Sequence, residues 1–237
     1  MNYDNPAHRL LFLLKQGQGF NTSLTCREAW DKIFETNGNL PLLLSRLGKS
    51  MELPNHVVEM FGDMYPGQTN LCNHWKGKIT FAFAHQNLQA NWSNFISSID
   101  SVSIDMLSLV ATMIDTKLLS KTFDVEEISK VKTSLQEVYD EVLNSDIADE
   151  LKAFITRKLR EIITSIDEYR LTGLAPILDS VDSSIGHCVT NRAYHSFIKE
   201  EALGKKLETV LTSTANSITV LTGLPQLATS IIQLTSS

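Results

Sequence analysis

Residues 124–173 read DVEEISKVKTSLQEVYDEVLNSDIADELKAFITRKLREIITSIDEYRLTG, and this stretch decides the fold class. Ile128, Val131, Leu135, Val138 and Val142 recur at alternating spacings of three and four, which lines one face of an α-helix with apolar side chains. Asn144-Ser145 interrupts the pattern, and Ile155, Leu159, Ile162, Ile166 and Tyr169 resume it. Asp124 with Glu127 offers a capping-box-like start for the first helix. Asp146 offers an N-cap for the second, Asp149 and Glu150 oppose the dipole in its first turn, and Gly173 can stop it. Each helix is expected to exceed twenty residues, roughly 30 Å. The link between them is short, so the sequence predicts a long antiparallel αα-hairpin over about 124–173, each helix burying an a/d seam.

The same signals extend towards the start of the chain. Asn5 can cap a helix with Pro6 at its first position, and Leu10, Leu11, Phe12, Leu13 and Leu14 follow before Gly17-Gln18-Gly19. Thr25 and Glu28 form a capping box ahead of Ala29, Trp30, Ile33 and Phe34. Residues 40–64 read as helical, with Pro54 expected to break or kink them because it lacks the N–H donor. In the glycine- and asparagine-rich stretch 65–91, Ile79 to Ala84 fits strand or helix. Helix is favoured because no partner strand is in sight. Trp92–Ile99 and Ile104–Leu119 continue the helical reading, with apolar spacing at Met106, Leu109, Val110, Met113 and Ile114. Beyond Gly173, Leu174, Ile177, Leu178, Val181 and Ile185 outline a further amphipathic helix. The whole is an all-α multi-helix bundle, read as a single helical domain over 1–237. The alternative division is 1–120, 121–204 and 205–237.

Composition fits a globular chain, with 43% apolar and 20% charged residues. A net charge of −6 argues against a nucleic-acid binder, which needs a basic face. Three widely spaced cysteines make no disulfide framework and point to a reducing compartment, so a cytoplasmic location is expected. Met1 to Pro6 carries no basic region ahead of an apolar run, so no signal peptide is expected.

Chemical motifs are sparse. No phosphate-binding loop occurs, and Gly17-Gln18-Gly19 lacks a third glycine and a preceding strand. Cys72-Asn73-His74, and His187-Cys188 with His195, combine thiolate and imidazole but lack the paired spacing of a zinc site. Buried cysteine and packed histidine are the plainer reading. Cys188 with His187 or His195 would need a third orienting group to act as a nucleophile. Arg192 to His195 is too closely spaced for the Arg–His arrangement of helical ribonuclease toxins. The carboxylates of 124–173 lack a Glu-x-x-His pattern and read as solvated faces paired with Lys152, Arg157, Lys158 and Arg160. No catalytic, cofactor-binding or metal-ligating residue is therefore assigned.

The last sharp feature is charge depletion. After Lys205, Lys206 and Glu208, residues 209–237 carry no charged side chain. Leu207, Leu211, Ile218, Leu221, Leu227, Ile231 and Leu234 are its candidate interaction residues. The abundant Ser and Thr and the punctuating Pro225 weigh against a membrane-spanning helix and favour core burial or self-association.

Several stretches resemble a family of mostly helical bacterial proteins that carries no assigned activity. They are Asn5-Pro6-Ala7-His8-Arg9-Leu10, Trp30 with Arg46-Leu47-Gly48, Asn91-Trp92, Leu143 to Ile147, and Glu168 to Gly173. The resemblance runs to about residue 180 and implies a bacterial origin, a helical fold and a role in phage or mobile-element conflict. The leading expectation is a non-enzymatic module that binds a protein partner or itself. The alternatives are a membrane-acting effector using 205–237, and a metal- or Cys-dependent hydrolase.

Overall fold

The computed structural model describes residues 2–118 and 125–222. Among them lie twelve α-helices, one 3-10 turn and a single isolated bridge, Thr25 to Asn91, so the chain is an all-α multi-helix bundle. It divides into two compact units, Met1–Leu118 and Leu119–Ser237.

The first unit contains α1 (Pro6–Gln18), α2 (Cys26–Phe34), α3 (Leu40–Met64), a 3-10 turn (Thr69–Cys72), α4 (Asn73–His85), α5 (Ser93–Ile96) and α6 (Ser101–Asp115). Its helix starts follow local chemistry. The Asn5 side chain accepts from the Ala7 N–H, Asn39 from Leu42 and Asp100 from Ser103, while Thr25 and Glu28 close the capping box. Pro54 does not break α3. It is buried among Leu53, Val57 and Phe61, and packing on that face holds the helix through the missing donor. Residues 79–84 are the C-terminal half of α4.

The core of this unit is aromatic. The Trp30 ring lies 5.0–5.9 Å from Phe34, Phe83, Trp92 and Phe95, stacked on two and edge-on to two. Two loops are tied beside it by backbone bonds. Cys26 N–H donates to Ala90 O at 2.8 Å, Arg27 N–H to Leu88 O at 2.9 Å, and Trp92 N–H to Leu24 O at 2.6 Å. The Trp92 indole N–H donates to Gly17 O at 2.8 Å, and a Cβ on Gly17 would stand 2.6 Å from the Trp92 ring. Glycine at 17 is what allows that approach.

The second unit contains α7 (Val125–Asn144), α8 (Asp149–Asp167), α9 (Tyr169–Thr172), α10 (Ala175–Thr190), α11 (Arg192–Glu200) and α12 (Ala202–Thr222). Helices α7 and α8 pack on each other through Leu135, Val138 and Val142 on one side and Ile155, Leu159, Ile162 and Ile166 on the other. Polar pairs border the seam: Lys132 with Asp167, Arg160 donating to Tyr139, and Lys152 donating to Ser145 O. Their order from Lys132 to Ser145 is the reverse of their order along α8.

Two expected boundaries differ. α8 begins at Asp149 and not at a cap on Asp146: the N-cap position falls on Ala148, which has no side chain to offer, and Asp149 and Glu150 satisfy the first turn by charge. α8 also stops after 19 residues, where Glu168 leaves helical geometry at φ −97° and ψ 4°. α7 has 20 residues among those described, and its expected start at Asp124 lies outside them. The extra turn α9 ends at Gly173, whose φ of 78° suits glycine.

Candidate interaction surface

Cys72 is buried, and burial pushes its thiol up. Its neighbour His74 turns to the surface, with Nε2 3.2 Å from Asp100 Oδ2 and Lys78 3.9 Å from the same oxygen. In the second unit Cys188 is buried, and burial together with the Glu208 carboxylate pushes it up to about 11. That thiol stays protonated near neutral pH and is a poor nucleophile. His187 meets the edge of the Phe154 ring at 5.2 Å. Among the described residues no three His, Cys, Asp or Glu side chains are grouped to hold a metal ion.

One polar cluster escaped the sequence reading because its members lie 107 residues apart. His8 Nε2 lies 2.6 Å from Asp115 Oδ2, and Asn5 Nδ2 donates to Asp115 Oδ1 and to Ala111 O, both at 2.8 Å. These bonds fasten the start of α1 to the end of α6, a structural role.

The candidate interaction residues of the charge-depleted segment divide into three groups. Leu207, Leu211 and Ile218 are buried within the second unit, where α12 packs on α7, α10 and α11. They stand in the unit's own core. Leu221 is on α12 with a side chain outside the described residues, and Leu227, Ile231 and Leu234 lie outside them altogether. The opposite face of α12 offers hydroxyls. Thr209, Ser213 and Ser217 line an open groove of about 440 Å³ with Glu127, Lys130 and Ser134 of α7. No helix among the described residues is long and apolar enough to cross a membrane.

The surface that stands out is on α6. Its core side is Ser103, Ile104, Leu107, Val110, Ala111 and Ile114, all buried. The sequence suggested one apolar stripe through Met106, Leu109, Val110, Met113 and Ile114. The structure splits it, with Val110 and Ile114 facing the core and the others facing away. Val102 is 53% and Leu109 55% exposed, and Met106 and Met113 are half-buried. An apolar stripe that extends beyond the core-facing side of a helix is ordinarily covered as well. Covering the exposed half of Val102 and of Leu109 would contribute about 1 kcal/mol apiece. Within α6 the charged side chains are Asp105 and Asp115, and no Lys or Arg occurs from residue 79 to residue 116. The exposed Leu143 and Val189 of the second unit are isolated apolar residues of the kind any surface carries.

No protein-family model matches the chain, and no curated protein or solved structure matches it.

Proposed function

We propose that the chain is a helical interaction module that acts by binding a protein partner or a second copy of itself. The observation that carries this reading is the uncovered face of α6, where Val102, Met106, Leu109 and Met113 form a second apolar stripe beside the core-facing one. Four apolar residues joined at helical spacing make a contiguous patch, which single exposed apolar residues do not. The antiparallel hairpin of α7 and α8 is the stiff element of the second unit in this proposal, supported by the reversed order of its bordering pairs. A cytoplasmic location belongs to the same reading, supported by three buried, unpaired cysteines. Its most specific form is a role in bacterial phage defence or toxin regulation, which rests on the resemblance of the five stretches named above.

The test compares cross-linked assemblies recovered with the wild-type chain and with Leu109→Asp, produced at equal levels. Because Leu109 is exposed, the variant keeps its far-UV circular dichroism and loses the assembly. Identical recovery from both would sink the reading.

A further inference from the structure

We infer that Asn37 is a site of covalent self-modification. The backbone nitrogen of Gly38 closes onto the Asn37 side-chain amide, and the hydrogen bond from Gly38 to Asp31 governs how often it does.

Asn37-Gly38 is the one Asn-Gly pair in the sequence. Glycine matters because the attacking nitrogen must reach Cγ of the residue before it, and a Cβ beside that nitrogen crowds the approach. The pair sits in the turn between α2 and α3, with φ of 50° at Asn37 and 79° at Gly38, and both residues are exposed. Nothing stands within 4 Å of the place a Cβ on Gly38 would take, so the peptide is open to water on that side.

The step balances with water as its only co-reactant. The Gly38 nitrogen gives up its proton to hydroxide and forms a bond to Asn37 Cγ. The side-chain nitrogen takes the electrons of the broken C–N bond, gains a proton and leaves as ammonia. The product is a five-membered succinimide ring. One water then opens the ring at either carbonyl, leaving aspartate or isoaspartate at 37. In isoaspartate the backbone runs through the former side chain and is one methylene longer. That change lies two residues before Asn39, whose side chain caps α3 by accepting from the Leu42 N–H.

Asp31 of α2 sets the gate. The Gly38 N–H donates to Asp31 Oδ1 at 2.8 Å, and the Thr36 hydroxyl donates to the same oxygen. Backbone bonds hold the rest of the turn, from Thr36 N–H to Asp31 O at 3.1 Å and from Asn39 N–H to Thr36 O at 3.0 Å. An N–H bonded to an anion is harder to deprotonate, because losing the proton would set two negative charges side by side. The Thr36 hydroxyl and the Gly38 N–H also hold the Asp31 carboxyl below its ordinary value. It stays ionised near neutral pH and is too weak a base to take the proton itself. The ring therefore closes from the opened turn, in which Gly38 has left Asp31.

The full chain is incubated near neutral pH, and the peptide containing Asn37 is followed by mass spectrometry. Conversion is expected to be at least about tenfold slower in the native chain than in urea. Asp31→Ala is expected to raise the native rate about tenfold, the scale of one lost hydrogen bond to a charged group. Circular dichroism shows whether that variant is folded. Hydrogen exchange at the Gly38 amide gives a measure free of substitution: as small additions of urea speed exchange there, conversion at Asn37 rises in proportion. Both isoaspartate and aspartate are expected, whereas direct hydrolysis of the amide yields aspartate alone.

Equal rates in the native and urea-unfolded chain overturn the inference. So does a folded Asp31→Ala that converts no faster than the wild type, and so does conversion that fails to follow exchange at Gly38. Aspartate as the sole product removes the ring from the account.

Discussion

The first unit gathers Trp30, Trp92, Phe34, Phe83 and Phe95 into one cluster and braces it with backbone bonds between distant loops, whereas the second lays aliphatic seams of long helices side by side. The difference teaches how each tolerates change. A ring cluster concentrates its burial in a few large side chains, so one deletion removes contacts with four neighbours at once. A seam spreads the same work over many methyl groups, and its sharpest sensitivity falls where backbones approach most closely. In the second unit that place is Gly204, where a Cβ would stand 1.9 Å from Phe197 O and 2.8 Å from Ile198 Cα.

The largest expected effect tests the cluster. Trp30→Ala should lower stability by about 4 kcal/mol through the cavity it leaves. Denaturant unfolding followed by the near-ultraviolet signal of Trp75 and Trp92 would report it, and a loss below about 1 kcal/mol would break the picture of a concentrated core. Next is Gly204→Ala, expected to cost about 3 kcal/mol because a backbone oxygen cannot step aside as a side chain can. If its unfolding transition is the same one that Trp30→Ala shifts, and by a similar amount, the two units unfold together and the contrast loses its thermodynamic meaning. Thr25→Ala removes the capping box of α2 and should cost about 1 kcal/mol in the same measurement.

The smallest effect concerns acid. The Ser103 hydroxyl and N–H, with His74 behind them, hold the Asp100 carboxyl down to about 2 from an ordinary value near 3.8. A group depressed on folding stabilises the fold above its ordinary value, and that contribution is lost as pH falls through about 2. Asp100→Asn should therefore flatten the decline in stability of the first unit between pH 3.8 and about 2. A variant that declines as steeply as the wild type would remove Asp100 from the account.

What could be read from the chain differed by range of interaction. Caps and periodicity act within four residues, so Asn5-Pro6, Thr25 with Glu28, and the seams of α7 and α8 were visible in the sequence. The start of α8 was not, because its cap position carries alanine and an aspartate two residues earlier looks better suited. The bonds joining residues 24–27 to 88–92 leave no local mark, since backbone groups are the same for every residue. On α6 the signal was present but merged. Apolar residues at 106, 109, 110, 113 and 114 fit one broad stripe, and only tertiary packing shows that 110 and 114 face inward.

The bond from Trp92 to Gly17 carries a consequence for the timing of folding. It joins residues 75 apart, against 21 for the bond from Arg160 to Tyr139 that borders α7 and α8. Closing the longer loop costs about 1 kcal/mol more in chain entropy, and contacts of high separation form slowly. On a ribosome adding about 5–20 residues per second, Gly17 waits roughly 4–15 s for its tryptophan to be made. The half of the protein that is synthesised first is thus the half whose ring cluster must stay open longest, while α7 and α8 can pair almost as soon as they emerge.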